Sequence, residues 1–211
     1  MLGKLAVMPE LLTQLWSGLL NTTWIEAVAV STGLASVWYS SKEDIKVYPT
    51  GIVSVLIYVW LCLQAGLYAN MGINAIYFIM SVYGWWRWTH PVNTSLDYLP
   101  VSRLSKREVF FSVLFVILAF CLLVWVLSKW TDSQLPIPDA LTTSIFIAAM
   151  WMQAEKKVES WLLWIIGDLI SIPLYFSVNM AFTSFQYTIF LILAINGYRN
   201  WNRSLVPENN K

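Results

Sequence analysis

Seven apolar stretches, at residues 23–40, 47–64, 68–88, 108–128, 137–154, 160–177 and 182–201, take up most of the 211-residue chain. Each is long enough, or nearly so, for an α-helix to cross a hydrocarbon core roughly 30 Å thick, several lying near the lower limit of length. No water in that core bonds a free backbone amide or carbonyl, so the stretches must fold as helices. The connections are short except for 89–107, which reads as a polar loop carrying His90, Pro91, Asn93, Asp97, Pro100 and Arg103. None leaves room for a soluble domain. With 58% hydrophobic and 12% charged residues, the chain is expected to be an all-α membrane protein of seven transmembrane helices. Residues 1–21 are interrupted by Pro9 and Glu10, a poor signal peptide and too broken to span, and are expected to form an interfacial segment.

Basic residues set the orientation. With the N-terminus outside, Lys42, Lys46, Arg87, Arg103, Lys106, Arg107, Lys156, Lys157, Arg199, Arg203 and Lys211 share one side, leaving Lys4 and Lys129 on the other. Short loops biased in this way face the cytoplasm, which predicts an external N-terminus and a cytoplasmic tail at 204–211.

The chain also matches itself at a shift of 113 residues. Trp38 pairs with Trp151, Ile76 with Ile189, Ile79 with Ile192, Gly84 with Gly197, and Trp88 with Trp201. Within the transmembrane domain 22–203, this defines repeats at 22–90 and 136–203 joined by a linker span at 107–129. Three spans are an odd number, so one linking span makes the two triplets parallel. That 3+1+3 plan is the arrangement of the sugar-transporting SWEET proteins, in which solute binds between the repeats near the midplane.

The candidate site lies in the sixth span. Trp161, Trp164 and Asp168 fall within about 60° of one another on one helix face. A carboxylate at the middle of a span costs about 2.5–3.5 kcal/mol on insertion scales, so it normally faces a cavity. Two indole faces beside it attract flat cations, each contact being worth roughly 0.5–2 kcal/mol. The alternative is a carboxylate that bridges packed helices, with the tryptophans as interface anchors. Ser171 and Tyr175 extend the stripe. The third span carries Asn70, Asn74, Tyr77 and Ser81 along one face, and in the seventh Tyr187 and Phe190 take the repeat positions of Asn74 and Tyr77. Each of these polar groups has the alternative of bridging helices. Glu26 lies near the outer end of the first span. Pro173 is expected to kink the sixth span, and Pro49 either kinks the second or begins it.

Other functions fit poorly. The single histidine, His90, sits in a loop, and H-E-x-x-H, G-x-S-x-G and intramembrane aspartate pairs are absent, which speaks against an enzyme. Residues 182–201 contain no lysine for a retinal Schiff base, and there is no P-loop. Cys62 and Cys121 lie within apolar segments without metal-ligand neighbours, so neither metal nor cofactor is expected. A net charge of +1 offers nothing to a nucleic acid.

Trp24-Ile-Glu-Ala, Tyr83-Gly-Trp-Trp-Arg-Trp88, Glu159-Ser-Trp-Leu-Leu-Trp164 and Asn196-Gly-Tyr-Arg-Asn-Trp201, in that order along 22–203, resemble the PnuC family of bacterial vitamin transporters. The resemblance implies a homotrimer in the bacterial cytoplasmic membrane. It also implies facilitated diffusion of an unphosphorylated vitamin that cytoplasmic kinases then trap. In that family Trp-x-x-Trp precedes Asn or Asp; the nicotinamide riboside carriers resemble the Asn form, and members associated with thiamine resemble the Asp form found here. Asp168 therefore points to thiamine, with nicotinamide riboside as the alternative. Read from the faces of the three spans, the candidate solute contacts are Trp161, Trp164, Asp168, Tyr175, Asn70, Asn74, Tyr77 and Tyr187.

Overall fold

A computed structural model describes residues 23–91, 98–131, 135–178 and 180–205. Among the described residues seven helices follow one another: α1 Trp24–Ser41, α2 Val47–Gln64, α3 Tyr68–Thr89, α4 Lys106–Trp130, α5 Pro136–Ala154, α6 Ser160–Ser177 and α7 Ala181–Arg203. The interfacial segment expected at 1–21 lies outside the described residues, as does the tail from 206 onward.

Local chemistry fixes the helix starts. Thr23 and Glu26 form a capping box at α1, and Ser105 and Glu108 form another at α4, each satisfying backbone donors that the first turn leaves free. That assigns Glu26 to a helix cap. Pro49 sits in the first turn of α2, where its missing N–H costs nothing, so it begins the helix. Pro173 lies inside α6, and beside it Ser184 of α7 donates to the Ile172 carbonyl at 2.8 Å.

The helices pack as two triplets, α1–α2–α3 and α5–α6–α7, closed into a ring where α3 meets α5 and α7 meets α1. The linker α4 lies against α5 on the outside. It exposes Phe110, Phe111, Val113, Phe115, Leu118, Leu122 and Trp125, an apolar surface suited to lipid. On composition alone α2, α4 and α6 are apolar enough to cross a membrane. In the central α5, Ala140, Ala148, Ala149 and Ala154 are buried, and side chains this small let neighbouring backbones approach closely.

At the end of the bundle rich in lysine and arginine, contacts recur at the 113-residue offset. Tyr48 packs on Gly84 and Trp161 on Gly197, where an added Cβ would overlap either ring. Trp88 stands edge-on to Tyr48 (5.1 Å, 87°), and Trp201 stands edge-on to Trp161 (5.5 Å, 89°). Each tryptophan then reaches the other repeat: Trp88 Nε1 donates to the Ala154 carbonyl (3.1 Å), and Trp201 Nε1 to that of Ser40 (2.8 Å).

These aromatic side chains form one buried core with Val47, Val158 and Ala194, completed by Leu99 and Val101. The connector therefore differs from the polar loop expected there. Over residues 98–102 burial alternates, with Leu99 and Val101 turned into the core between Tyr98, Pro100 and Ser102, and Arg103 beyond them is exposed. Ser102 pairs in parallel with the α5–α6 turn, donating to the Lys156 carbonyl and accepting from the Val158 amide, both at 3.0 Å.

Candidate functional site

Asp168 is 2% exposed at the middle of α6, and its Oδ2 has no hydrogen-bond partner among the described residues. Leaving such a group unsatisfied costs about 1–3 kcal/mol, and more if it is charged. It makes no salt bridge among the described residues either. Ser171, one turn further on, is fully buried with its hydroxyl likewise unpartnered.

Beside this carboxyl stands a column of four rings from three helices. Trp164 stacks on Phe146 (5.2 Å, 25°), Phe146 on Tyr187 (6.1 Å, 8°), and Tyr187 on Tyr175 (5.2 Å, 6°). Phe190 meets Tyr187 edge-on at 6.1 Å. Gly167 lets Phe146 lie against the backbone of α6, because any Cβ there would overlap the ring. The indole of Trp164 is pinned by its Nε1 donating to Gln153 Oε1 at 2.8 Å. Tyr77, Tyr175 and Asp168 all lie within electrostatic reach of the Tyr187 hydroxyl, which brings α3, α6 and α7 to one place.

Of the residues singled out from sequence, Trp164, Asp168, Tyr175, Tyr187 and Tyr77 converge here. Trp161 does not join the column. It is 1% exposed in the aromatic core against Trp201 and Gly197, roughly 10 Å along the α6 axis from Asp168. The α3 stripe is mostly satisfied locally: Asn74 Nδ2 donates to the Asn70 carbonyl (2.9 Å), Ser81 Oγ donates to that of Tyr77 (2.8 Å), and Asn70 is exposed.

Phe146 and Gln153 are additional members from α5. Gln153 is the one amide of that helix, and Phe146 stands at the repeat position of Gly33; either fact would have marked them. Tyr77 apart, the site is built from the second repeat. At the same offset, Asp168, Trp164, Tyr175 and Phe146 are replaced by Val55, Gly51, Cys62 and Gly33. The repeat thus supplies a scaffold, and its second copy supplies polar and aromatic groups.

Two parallel three-helix units around a buried carboxyl whose Oδ2 has no partner among the described residues, with a lipid-suited outer surface, are the plan of a membrane transporter. Residues 23–203 match the family model described as "Nicotinamide mononucleotide transporter". The chain belongs to that family and is a vitamin transporter of the PnuC type, not an enzyme. It is 28% identical over 209 residues to the nicotinamide riboside transporter PnuC of Escherichia coli, covering 87% of each chain. It is 26% identical over 180 residues to the riboflavin/roseoflavin transporter RibM of Streptomyces davaonensis, covering 84% of each. Its fold is that of a crystal structure of the vitamin B3 transporter PnuC, with a TM-score of 0.69 at 23% identity over 92% of this chain and 87% of that one.

Proposed function

We propose that the chain carries an unphosphorylated, planar, cationic B-vitamin, thiamine in preference to nicotinamide riboside, by facilitated diffusion. The observation that carries this reading is the unpartnered Oδ2 of Asp168 beside the Trp164–Phe146–Tyr187–Tyr175 column. A buried carboxylate wants a cation and a hydrogen-bond donor, and thiamine brings both in its charged ring and its aminopyrimidine. Stacked rings supply apolar contact and a cation–π attraction. An aromatic plane inserted between two others needs about 7 Å, twice the ordinary carbon contact distance. The ring spacings are shorter, so the solute parts the column as it binds. Nicotinamide riboside is the second reading, favoured by the name of the Escherichia coli relative.

We infer that the basic end faces the cytoplasm of a bacterial cell, following the distribution of lysine and arginine. Kinases there would trap the vitamin. Assembly as a homotrimer is part of the same reading, as the family resemblance implies.

The test is uptake by proteoliposomes without ATP, membrane potential or pH gradient. Thiamine should equilibrate down its gradient, and thiamine phosphates should be excluded because they bring an anion towards Asp168. Accumulation driven by an imposed proton gradient would contradict uniport, and uptake of nicotinamide riboside alone would contradict the thiamine assignment.

A further inference from the structure

A carrier must part its repeats at the basic end to release solute there, and the two seams between the repeats are unequally held. On the α3/α5 seam, Arg87 Nε donates to Glu155 Oε2 (3.0 Å) and Oε1 (3.2 Å), and the Tyr83 hydroxyl donates to the same carboxylate. Arg87 and Glu155 are 19% and 17% exposed, so solvent screens the pair only in part. At the 113-residue offset, the α7/α1 seam has Asn196, Asn200 and Lys42 in place of Tyr83, Arg87 and Glu155. Asn200 Nδ2 donates to the Ser41 carbonyl at 3.2 Å, while Lys42 Nζ lies over the Trp38 ring at 3.7 Å. A neutral tryptophan bond crosses each seam, Trp88 Nε1 donating to the Gln153 and Ala154 carbonyls (3.3 and 3.1 Å) and Trp201 Nε1 to that of Ser40 (2.8 Å), so the main difference lies in the charges. Charge-assisted hydrogen bonds are roughly twice as strong as neutral ones.

A second asymmetry acts in the same direction. The connector that follows α3 is fastened to the second repeat. Besides the Ser102 pairing, Leu104 N donates to Glu159 Oε2 (3.0 Å), and Arg103 Nη2 donates to Asn202 Oδ1 (2.6 Å). The Lys156–Glu43 pair joins the α1–α2 and α5–α6 turns and belongs to neither seam.

We propose that the solute's exit at the basic end opens along the α1/α7 seam, with the α3/α5 seam staying closed as the hinge. The proposal rests on the reading of the chain as a carrier, not on which vitamin it carries.

The experiment uses the full chain with Cys62 and Cys121 replaced by alanine, reconstituted in proteoliposomes. One variant carries Ser41→Cys with Asn200→Cys, and the other Arg87→Cys with Glu155→Cys; each is tethered by a short bis-methanethiosulfonate. Uptake of thiamine, nicotinamide riboside and riboflavin is measured for both and for the untethered background. The Ser41–Asn200 tether should reduce uptake of the carried vitamin about tenfold or more, with recovery on reduction, and the Arg87–Glu155 tether should leave it within about twofold. Spin labels at the same two pairs should show a broad or two-component distance distribution across α1/α7 and a narrow one across α3/α5. Uptake that survives the first tether, stops with the second, or stops with both overturns the hinge, as do equally broad distances. A background that carries nicotinamide riboside or riboflavin but not thiamine overturns the substrate reading alone. If it carries none of the three, the spin-label distances decide the hinge.

Discussion

Phe146 lies on the backbone of Gly167, one residue from Asp168, in a space that the missing Cβ leaves open. Gly167→Ala should therefore push Phe146 out of the column, costing about 1–3 kcal/mol of stability as overpacking and weakening solute binding as well. Gly72→Ala is the matched control: nothing lies within 4 Å of the added Cβ, and alanine is the better helix former by about 1 kcal/mol. Thermal unfolding in detergent and calorimetric binding should separate the two. Equal behaviour of both variants would contradict the packing described.

Trp161 and Trp164 should part company on substitution. Trp164→Ala removes a ring of the column and should weaken vitamin binding by roughly 1–3 kcal/mol at near-normal stability. Trp161→Ala empties a core position against Gly197 and Trp201 and should cost about 3–5 kcal/mol of stability. A stable Trp161→Ala protein with lost binding would return Trp161 to the solute site.

The sequence shows why these two tryptophans look alike and why they are not. A helical wheel places Trp161, Trp164 and Asp168 on one face but discards position along the axis. At one end of α6 that face meets Gly197 and Trp201; one turn later it meets Phe146. The neighbour changes because α5 and α7 border α6 differently at different depths, and no periodicity carries that information. The helices themselves were legible, since a bilayer allows few lengths and the apolar runs match them. The α3 stripe was less so: an amide or hydroxyl facing a cavity and one bonded to its own helix have the same spacing, and Asn74 and Ser81 are of the second kind. Leu99 and Val101 were hidden by prolines and charges around them, although their alternation with Tyr98, Pro100 and Ser102 records the buried side.

Lys156 and Glu43 occupy equivalent repeat positions, each with positive φ (50° and 58°), and pair at 3.2 Å. Lys156 is buried and also lies over the Trp88 ring at 4.4 Å. Glu43→Lys should thus be more damaging than an exposed charge reversal, by about 1–3 kcal/mol, through juxtaposed like charges in a partly dry site. Because the two positions are related by the repeat, adding Lys156→Glu should restore most of that loss. A double variant no better than the sum of the singles would show that the pairing contributes nothing.

The charge on Asp168 is the remaining question, and Asp168→Asn isolates it by keeping shape and one acceptor. Losing a charge-assisted bond at this buried position should cost about 1.5–3 kcal/mol, roughly ten- to hundredfold in thiamine affinity. Nicotinamide riboside should suffer less, because its carboxamide can bond an asparagine. Calorimetric titration of both vitamins into the native protein and Asp168→Asn is the decisive measurement. Thiamine should bind the native protein more tightly than nicotinamide riboside and lose more on substitution; tight nicotinamide riboside binding with no thiamine signal, or thiamine affinity unmoved by Asp168→Asn, would contradict a charge pairing at Asp168.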